Sequence, residues 1–156
     1  MLNAGQFREL IVQSTLRDLN KVSKDAEELI MFTCAAESNG GTYIKEVNGP
    51  ALGIFQMEPM TYNDIWDNYI KHKASLSLLL VSNFDVTFMP SEERMIYDLR
   101  FATAMARIHY LRVKEPLPNA NNVDAMWEYY KLHYNTLAGK AQKDHTINAY
   151  HEFIKK

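Results

Sequence analysis

The stretch SEERMIYDLRFATAMARIHYLRV, from Ser91 to Val113, constrains the fold more than any other part of the chain. Met95, Leu99, Ala102, Ala106, His109, Tyr110 and Val113 repeat at helical spacing and form one face. Ile96, Ala104, Met105, Ile108 and Leu111 make much of the opposite side apolar as well. A helix that is apolar nearly all round has to be enclosed by other elements. One long helix opening at Pro90-Ser91 is therefore expected, buried at the centre of the fold. The Pro/Asn-rich run KEPLPNANN ends it.

The elements expected around it are also helical. Gln6–Leu19 carries Phe7, Leu10, Ile11 and Leu16 in a rough stripe. A second helix starts after Ser23, an N-cap, with Asp25, Glu27 and Glu28 in its first turn, and stops at the breaker Asn39-Gly40-Gly41. A third is expected from Thr61, with Asp64 completing a capping box, to about His72. Ser75–Phe88 reads either as a short helix or as an irregular connection. Two more helices are expected, Val123–Tyr134 and roughly Gly139–Ile154. Strand signals are confined to TYIKEV after Gly41, where a small hairpin could form. The reading is a mainly α, single-domain fold over residues 1–156, around a buried central helix, with at most a small β-hairpin after Glu37.

On the second helix Ala26, Leu29, Ile30, Thr33, Ala36 and Glu37 fall at i, i+3, i+4, i+7, i+10 and i+11. An ionisable carboxyl thus ends an inward stripe. Desolvation and the negative helix end both favour its protonated form, the state a general acid needs. The plain alternative is a solvated C-terminal glutamate beside the Gly40-Gly41 turn.

Three short motifs follow in order: Glu37-Ser38, Gly53-Ile54-Phe55-Gln56 with Pro59 and Thr61 after it, and Tyr134-Asn135 within HYNT. In this order they resemble the lysozyme-like superfamily, most closely soluble lytic transglycosylases and goose-type lysozymes. The likeness spans Glu37 to Asn135, roughly two-thirds of the chain. It departs from the family's pattern at Pro50-Ala51 before the second motif and at Leu137 after the third. The resemblance implies a lysozyme-like helical domain, phage-encoded, that cleaves the MurNAc-GlcNAc β-1,4 bond of peptidoglycan.

It also implies a role for each matched residue. Glu37 would protonate the glycosidic oxygen. Ser38 would hold the acid or the substrate. Gln56 and the backbone of Gly53, Ile54 and Phe55 would line the floor of the sugar groove. Tyr134 would orient the Glu37 carboxyl, with Asn135 beside it. Glu58 would be the second carboxyl of a muramidase, and Glu46 is another candidate. Without a second carboxyl the enzyme would be a lytic transglycosylase forming 1,6-anhydro-MurNAc ends. A non-catalytic structural or wall-binding protein of the same fold is the third reading.

Other features narrow the classes. The net charge of −2 speaks against a nucleic-acid partner. The longest apolar run, Leu78–Val81, is too short to span a bilayer, so no membrane insertion is expected. Charges interrupt the apolar residues of the N-terminal segment, so no signal peptide is expected. The implied route is synthesis in the host cytoplasm and action on the bacterial wall after release or delivery, as a monomer or as part of a virion or tail assembly. His72, His109, His133, His145 and His151 match no ligand spacing, so neither metal nor cofactor is expected. His109 reads as a satisfied core histidine, His133 as a candidate for the groove, and Cys34 as a buried, inert thiol.

Overall fold

The computed structural model describes residues 1–136 and 138–156. Leu137, where the third motif departs from the family's pattern, lies outside the described residues.

The chain is mainly helical. It opens with α1 (Ala4–Gln6), a π-helical run (Phe7–Val12) and α2 (Gln13–Asp18), which follow one another without a break. Asn3 caps this run by accepting from the Gln6 N–H at 3.0 Å. Helix α3 (Lys24–Ser38) has the anticipated N-cap, with Ser23 Oγ accepting from the Ala26 N–H at 2.9 Å. It ends where Asn39 turns left-handed at φ 50°. Arg8 holds the two segments together. Its Nη1 donates to Glu27 at 2.8 Å and to Glu28 at 2.7 Å, and the Tyr150 hydroxyl also donates to Glu28.

The next elements are α4 (Pro59–Asn68), a 3₁₀ turn (Ile70–His72) and α5 (Ala74–Asn83). Helix α4 begins earlier than expected. Pro59, with its fixed φ and missing N–H, suits the first helical turn and sets the start. Thr61 and Asp64 are therefore interior positions, and Asp64 instead accepts from Asn68 and Arg112, each at 2.7 Å. The ambiguous Ser75–Phe88 segment contains a true helix in α5.

The long central helix is two helices, α6 (Arg94–Tyr97) and α7 (Leu99–Leu111). Asp98 divides them. It takes an extended conformation, caps α7 through the Phe101 N–H at 2.9 Å and receives Arg94 Nε at 3.0 Å. Phe101 to Tyr110 are all buried, so the enclosed helix read from the sequence is α7. It packs against α2, α3, α4 and α6.

Helix α8 (Val123–Tyr130) passes into a π-helical segment (Lys131–Asn135), and α9 (Lys143–Ile154) closes the fold against α3. Helix α9 starts later than Gly139. Lys131 Nζ holds the Gly139 carbonyl at 2.7 Å, and the Gly139 N–H donates to Thr136 at 3.1 Å, so this stretch is a turn. The expected hairpin is reduced to isolated bridges, Lys45 with Leu52 and Leu52 with Met57. Asn48-Gly49-Pro50 interrupts one arm. A tight turn with positive φ at Gly53 (75°) and Gln56 (48°) folds the other. Among the described residues no helix is long and apolar enough to cross a membrane.

Candidate active site

Glu37 sits in the last turn of α3, half-buried, on the wall of an open cleft of about 690 Å³. Several parts of the chain build this cleft, Thr61 of α4 and the turn around Gly139 among them. Helix α3 brings Glu37. The 46–58 loop brings Glu46, Gln56 and Glu58, helix α7 brings His109, and the π-helical segment brings Tyr134 and Asn135. Glu37, Glu46 and Glu58 all line it, so three carboxylates face one space.

The Glu37 carboxyl is the unusual group. Burial pushes its pKa up to about 7, and the negative charge of Glu46 pushes in the same direction. A hydrogen bond from the Tyr130 hydroxyl to Oε1, 2.7 Å long, pulls the other way without cancelling the rise. The group therefore holds its proton near neutral pH while it faces a cleft, which is the condition for a general acid. Burial and the Glu37 charge hold the Tyr130 phenol above its ordinary range, so it remains a donor. With Tyr130 occupying Oε1, the carboxyl proton is directed to Oε2.

Tyr130 corrects the expectation for Tyr134. The Tyr134 hydroxyl donates to the Phe55 carbonyl at 2.7 Å. It ties the cleft floor to the π-helical segment, and Tyr130 orients the acid. Tyr130 and Tyr134 lie four residues apart, their rings stack at 6.1 Å, and Tyr130 meets Phe32 of α3 edge-on at 5.7 Å. That four-residue spacing puts both tyrosines on the face toward α3, and it is the signal that could have singled out Tyr130.

Three further expectations change. Ser38 is fully buried. Its Oγ donates to the Cys34 carbonyl at 3.1 Å and accepts from the Gly41 N–H at 2.9 Å, so its hydroxyl is spent on closing the end of α3. Ile54 and Phe55 are core residues, and Gly53 is buried with them. All three lie beneath the floor, and Gln56 alone of that motif lines the cleft. Its Nε2 donates back to the Gly53 carbonyl at 2.9 Å. His133 faces away from the cleft, packed on Tyr129 with ring centroids 4.6 Å apart and 4.0 Å from Glu115.

His109 lines the cleft instead but has no spare nitrogen. Nε2 bonds to the His133 carbonyl at 3.1 Å, and Nδ1 accepts from Arg112 at 3.0 Å. The carbonyl can only accept, so Nε2 carries the proton. Burial, then the Arg112 charge, pushes the ring's pKa down to about 4. His109 is thus neutral and fully engaged, a wall residue and not a base. Cys34 is buried, and burial pushes its thiol up to about 12, which makes it a poor nucleophile. Asn135 lines the cleft, with its Oδ1 held by Lys131 Nζ at 2.7 Å.

The two other carboxylates differ in how they are held. Glu46 Oε2 accepts from the Ala51 N–H at 3.0 Å, and its carboxyl lies over Gly49 so closely that a Cβ there would come within 2.2 Å of it. Glu58 is exposed at the start of α4, and among the described residues its side chain makes no capping bond. Among the described residues no group of three or more His, Cys, Asp or Glu is arranged to hold a metal ion.

No family model matches the chain, and no curated protein or solved structure matches it either. The geometry of the cleft therefore has to carry the functional reading.

The Tyr130 contact gives a direct test. Tyr130→Phe removes the bond that favours the charged carboxylate, so the Glu37 pKa should rise further. The alkaline limb of any Glu37-dependent activity should move up in pH, and the maximal rate should fall about five- to tenfold as the carboxyl loses its fixed orientation. A pH–rate profile checks both. A variant that melts lower but keeps the wild-type limb would reduce Tyr130 to packing.

Proposed function

We propose that the chain is a peptidoglycan-cleaving muramidase with a lysozyme-like helical fold, acting on the MurNAc-GlcNAc β-1,4 bond with Glu37 as general acid. The observation that carries this reading is a carboxyl of raised pKa, oriented by Tyr130, in an open cleft that two further carboxylates line. The sequence order Glu37-Ser38, Gly53-x-x-Gln56, Tyr134-Asn135 supports it independently. In the proposed reaction Oε2 of Glu37 gives its proton to the glycosidic oxygen as the C1–O bond breaks. The sugar carbon becomes oxocarbenium-like. A second carboxylate, Glu58 or Glu46, takes a proton from water as its oxygen bonds to that carbon. Gln56 and Asn135 position the sugars. On this reading the protein is of phage-lysin type, made in the host cytoplasm and acting on the wall after release or delivery.

A lyase is the second reading, favoured by the exposure of Glu58 and by the loop contacts that engage Glu46. Its products would end in 1,6-anhydro-muramoyl groups, because the sugar's own 6-hydroxyl attacks in place of water. Mass spectrometry of products from purified peptidoglycan separates the two. We expect reducing muropeptides, with turnover strongly lowered by Glu58→Gln or Glu46→Gln. Products lighter by one water, from variants that keep full activity, would make the protein a lytic transglycosylase. An absence of cleavage by the folded wild type, in the same assay and in a turbidity assay, would leave a wall-binding or structural role.

A further inference from the structure

The outer face of α5 is apolar and uncovered. No charged residue lies between Lys73 and Asp85, and α5 buries only Leu76 and Leu80. Leu78 is 65% exposed and Val81 52%, and they stand three residues apart on one side of the helix. Ser75 and Ser82 are exposed beside them. Charges of opposite sign close the two ends of this face. Lys71 and Lys73 stand at its start, Asp85 and Glu93 at its end, and all four are exposed. Arg94 fixes Glu93 there, because its guanidinium donates to the Phe84 carbonyl and, at 3.2 Å, to the Asp85 carbonyl. Among the described residues none of these four charges has a salt-bridge partner. Phe88, between the two acids in sequence, is 84% exposed. We propose that two copies of the chain pair through this face, α5 antiparallel to α5 about a two-fold axis.

The distribution of charge selects a second copy as the occupant. In a two-fold pair both partners offer the same patch, so the patch has to complement itself. Antiparallel α5 helices meet that condition. The basic end of one protomer falls opposite the acidic end of the other, and the contact is made twice. Helix α5 is only about 15 Å long, so both ends lie within reach of a partner of equal length. Leu78 and Val81 then meet near the axis, and the small side chains of Ser75 and Ser82 let the helices approach. Phe88 extends the acidic end, where it can lie on the lysine stems of the partner. A lipid surface fits less well. Anionic headgroups attract the lysines but repel Asp85, Glu93 and the neighbouring Glu92. A protein partner of one charge sign meets the same conflict. The patch is smaller than a standard interface, so the pair should be weak, with a dissociation constant of about 10–200 µM. No residue of α5 lines the cleft beside Glu37, so pairing leaves both clefts open. Two clefts on one particle favour rebinding to a polymeric target. The proposal does not depend on the muramidase reading.

Sedimentation velocity of the full chain at rising concentration tests it. We expect a monomer–dimer equilibrium that weakens about fivefold when salt is raised from about 0.05 to 0.5 M. Leu78→Glu sets like charges against each other at the axis and should weaken pairing about tenfold or more. Its melting temperature should match the wild type, because the side chain is exposed. Charge reversal then tests the antiparallel arrangement. Lys71→Glu with Lys73→Glu makes both ends acidic, and Glu92→Lys with Glu93→Lys makes both ends basic. Neither double variant should pair with itself, and a mixture of the two should pair, because each end again meets its opposite. If either reversal fails to fold, the Leu78→Glu and salt results decide alone. A monomer at all concentrations up to about 1 mM would overturn the proposal. So would a dimer that Leu78→Glu leaves intact, or folded reversal variants that stay apart when mixed. A monomer that binds anionic lipid vesicles, and loses that binding in Leu78→Glu, would overturn it by assigning the face to a membrane surface.

Discussion

Glu37→Gln should lower turnover about 10²–10⁴-fold and at the same time make the protein more stable in alkaline solution. The two effects have one cause. In the fold the carboxyl titrates near 7, above its ordinary value of 4.5. Between those values the folded protein holds a proton that the unfolded chain has already lost. Stability contributed by the protonated group is therefore full below about 4.5, falls as pH rises, and is gone above about 7. Glutamine cannot ionise, so the variant escapes that loss. Allowing for the side chain's partial exposure, the gain at pH 8 should be about 1–3 kcal/mol, and it should vanish at pH 4. Urea unfolding of both proteins at the two pH values measures it, and peptidoglycan turnover measures the rate. A folded variant with near-normal activity would remove Glu37 from the mechanism. An unchanged stability difference from pH 4 to 8 would mean that the carboxyl is not held protonated.

Gly53→Ala should be the most damaging small substitution. Gly53 has φ 75°, and a Cβ there would come within 2.3 Å of the Met95 carbonyl oxygen. The left-handed backbone alone costs an alanine about 1–2 kcal/mol. The carbonyl belongs to α6 and cannot swing aside as a side-chain tip could. We expect a total loss of about 2–4 kcal/mol, or a melting temperature lower by about 5–15 °C for a chain of this size. Activity should fall further than unfolding explains, because the turn carries Gln56 and the Phe55 carbonyl that receives Tyr134. Gly5→Ala is the control. Its nearest neighbour, Asn3 Oδ1, is 3.4 Å from the added carbon, and the position is helical, where alanine is favoured. Calorimetric scans of the two variants should therefore diverge, and equal melting temperatures would contradict the steric account.

The helical framework was legible in the sequence to different depths. The limits of α3, the inward position of Glu37 and the enclosure of α7 follow from periodicity and breakers, which are local properties. The break at Asp98 was not legible. An aspartate within a helical pattern can stay in the helix or leave it to cap the next one, and here Arg94 and the Phe101 N–H together favour the cap. The placements of Ser38, Ile54 and Phe55 were misjudged for a related reason. Motif spacing shows that residues lie near a site but not which layer they occupy, and these three lie beneath the cleft. Tyr130 was missed because the sequence likeness points to Tyr134, while only the packing of α8 on α3 shows which hydroxyl meets the carboxyl.

The π-helical run Lys131–Asn135 makes the length of the chain here as important as its composition. Its wider turns accommodate one residue more than an α-helix would between Tyr130 and the turn at Thr136. Closing the segment to α geometry at its present length would carry that extra residue into the helix and rotate everything downstream by about 100°. Asn135 would swing off the cleft wall and Lys131 would lose its hold on Gly139, while the composition of the segment stayed almost the same. The cleft therefore depends on the width of these turns, and a substitution that favours α over π geometry here should reshape the cleft wall without touching a residue that faces it.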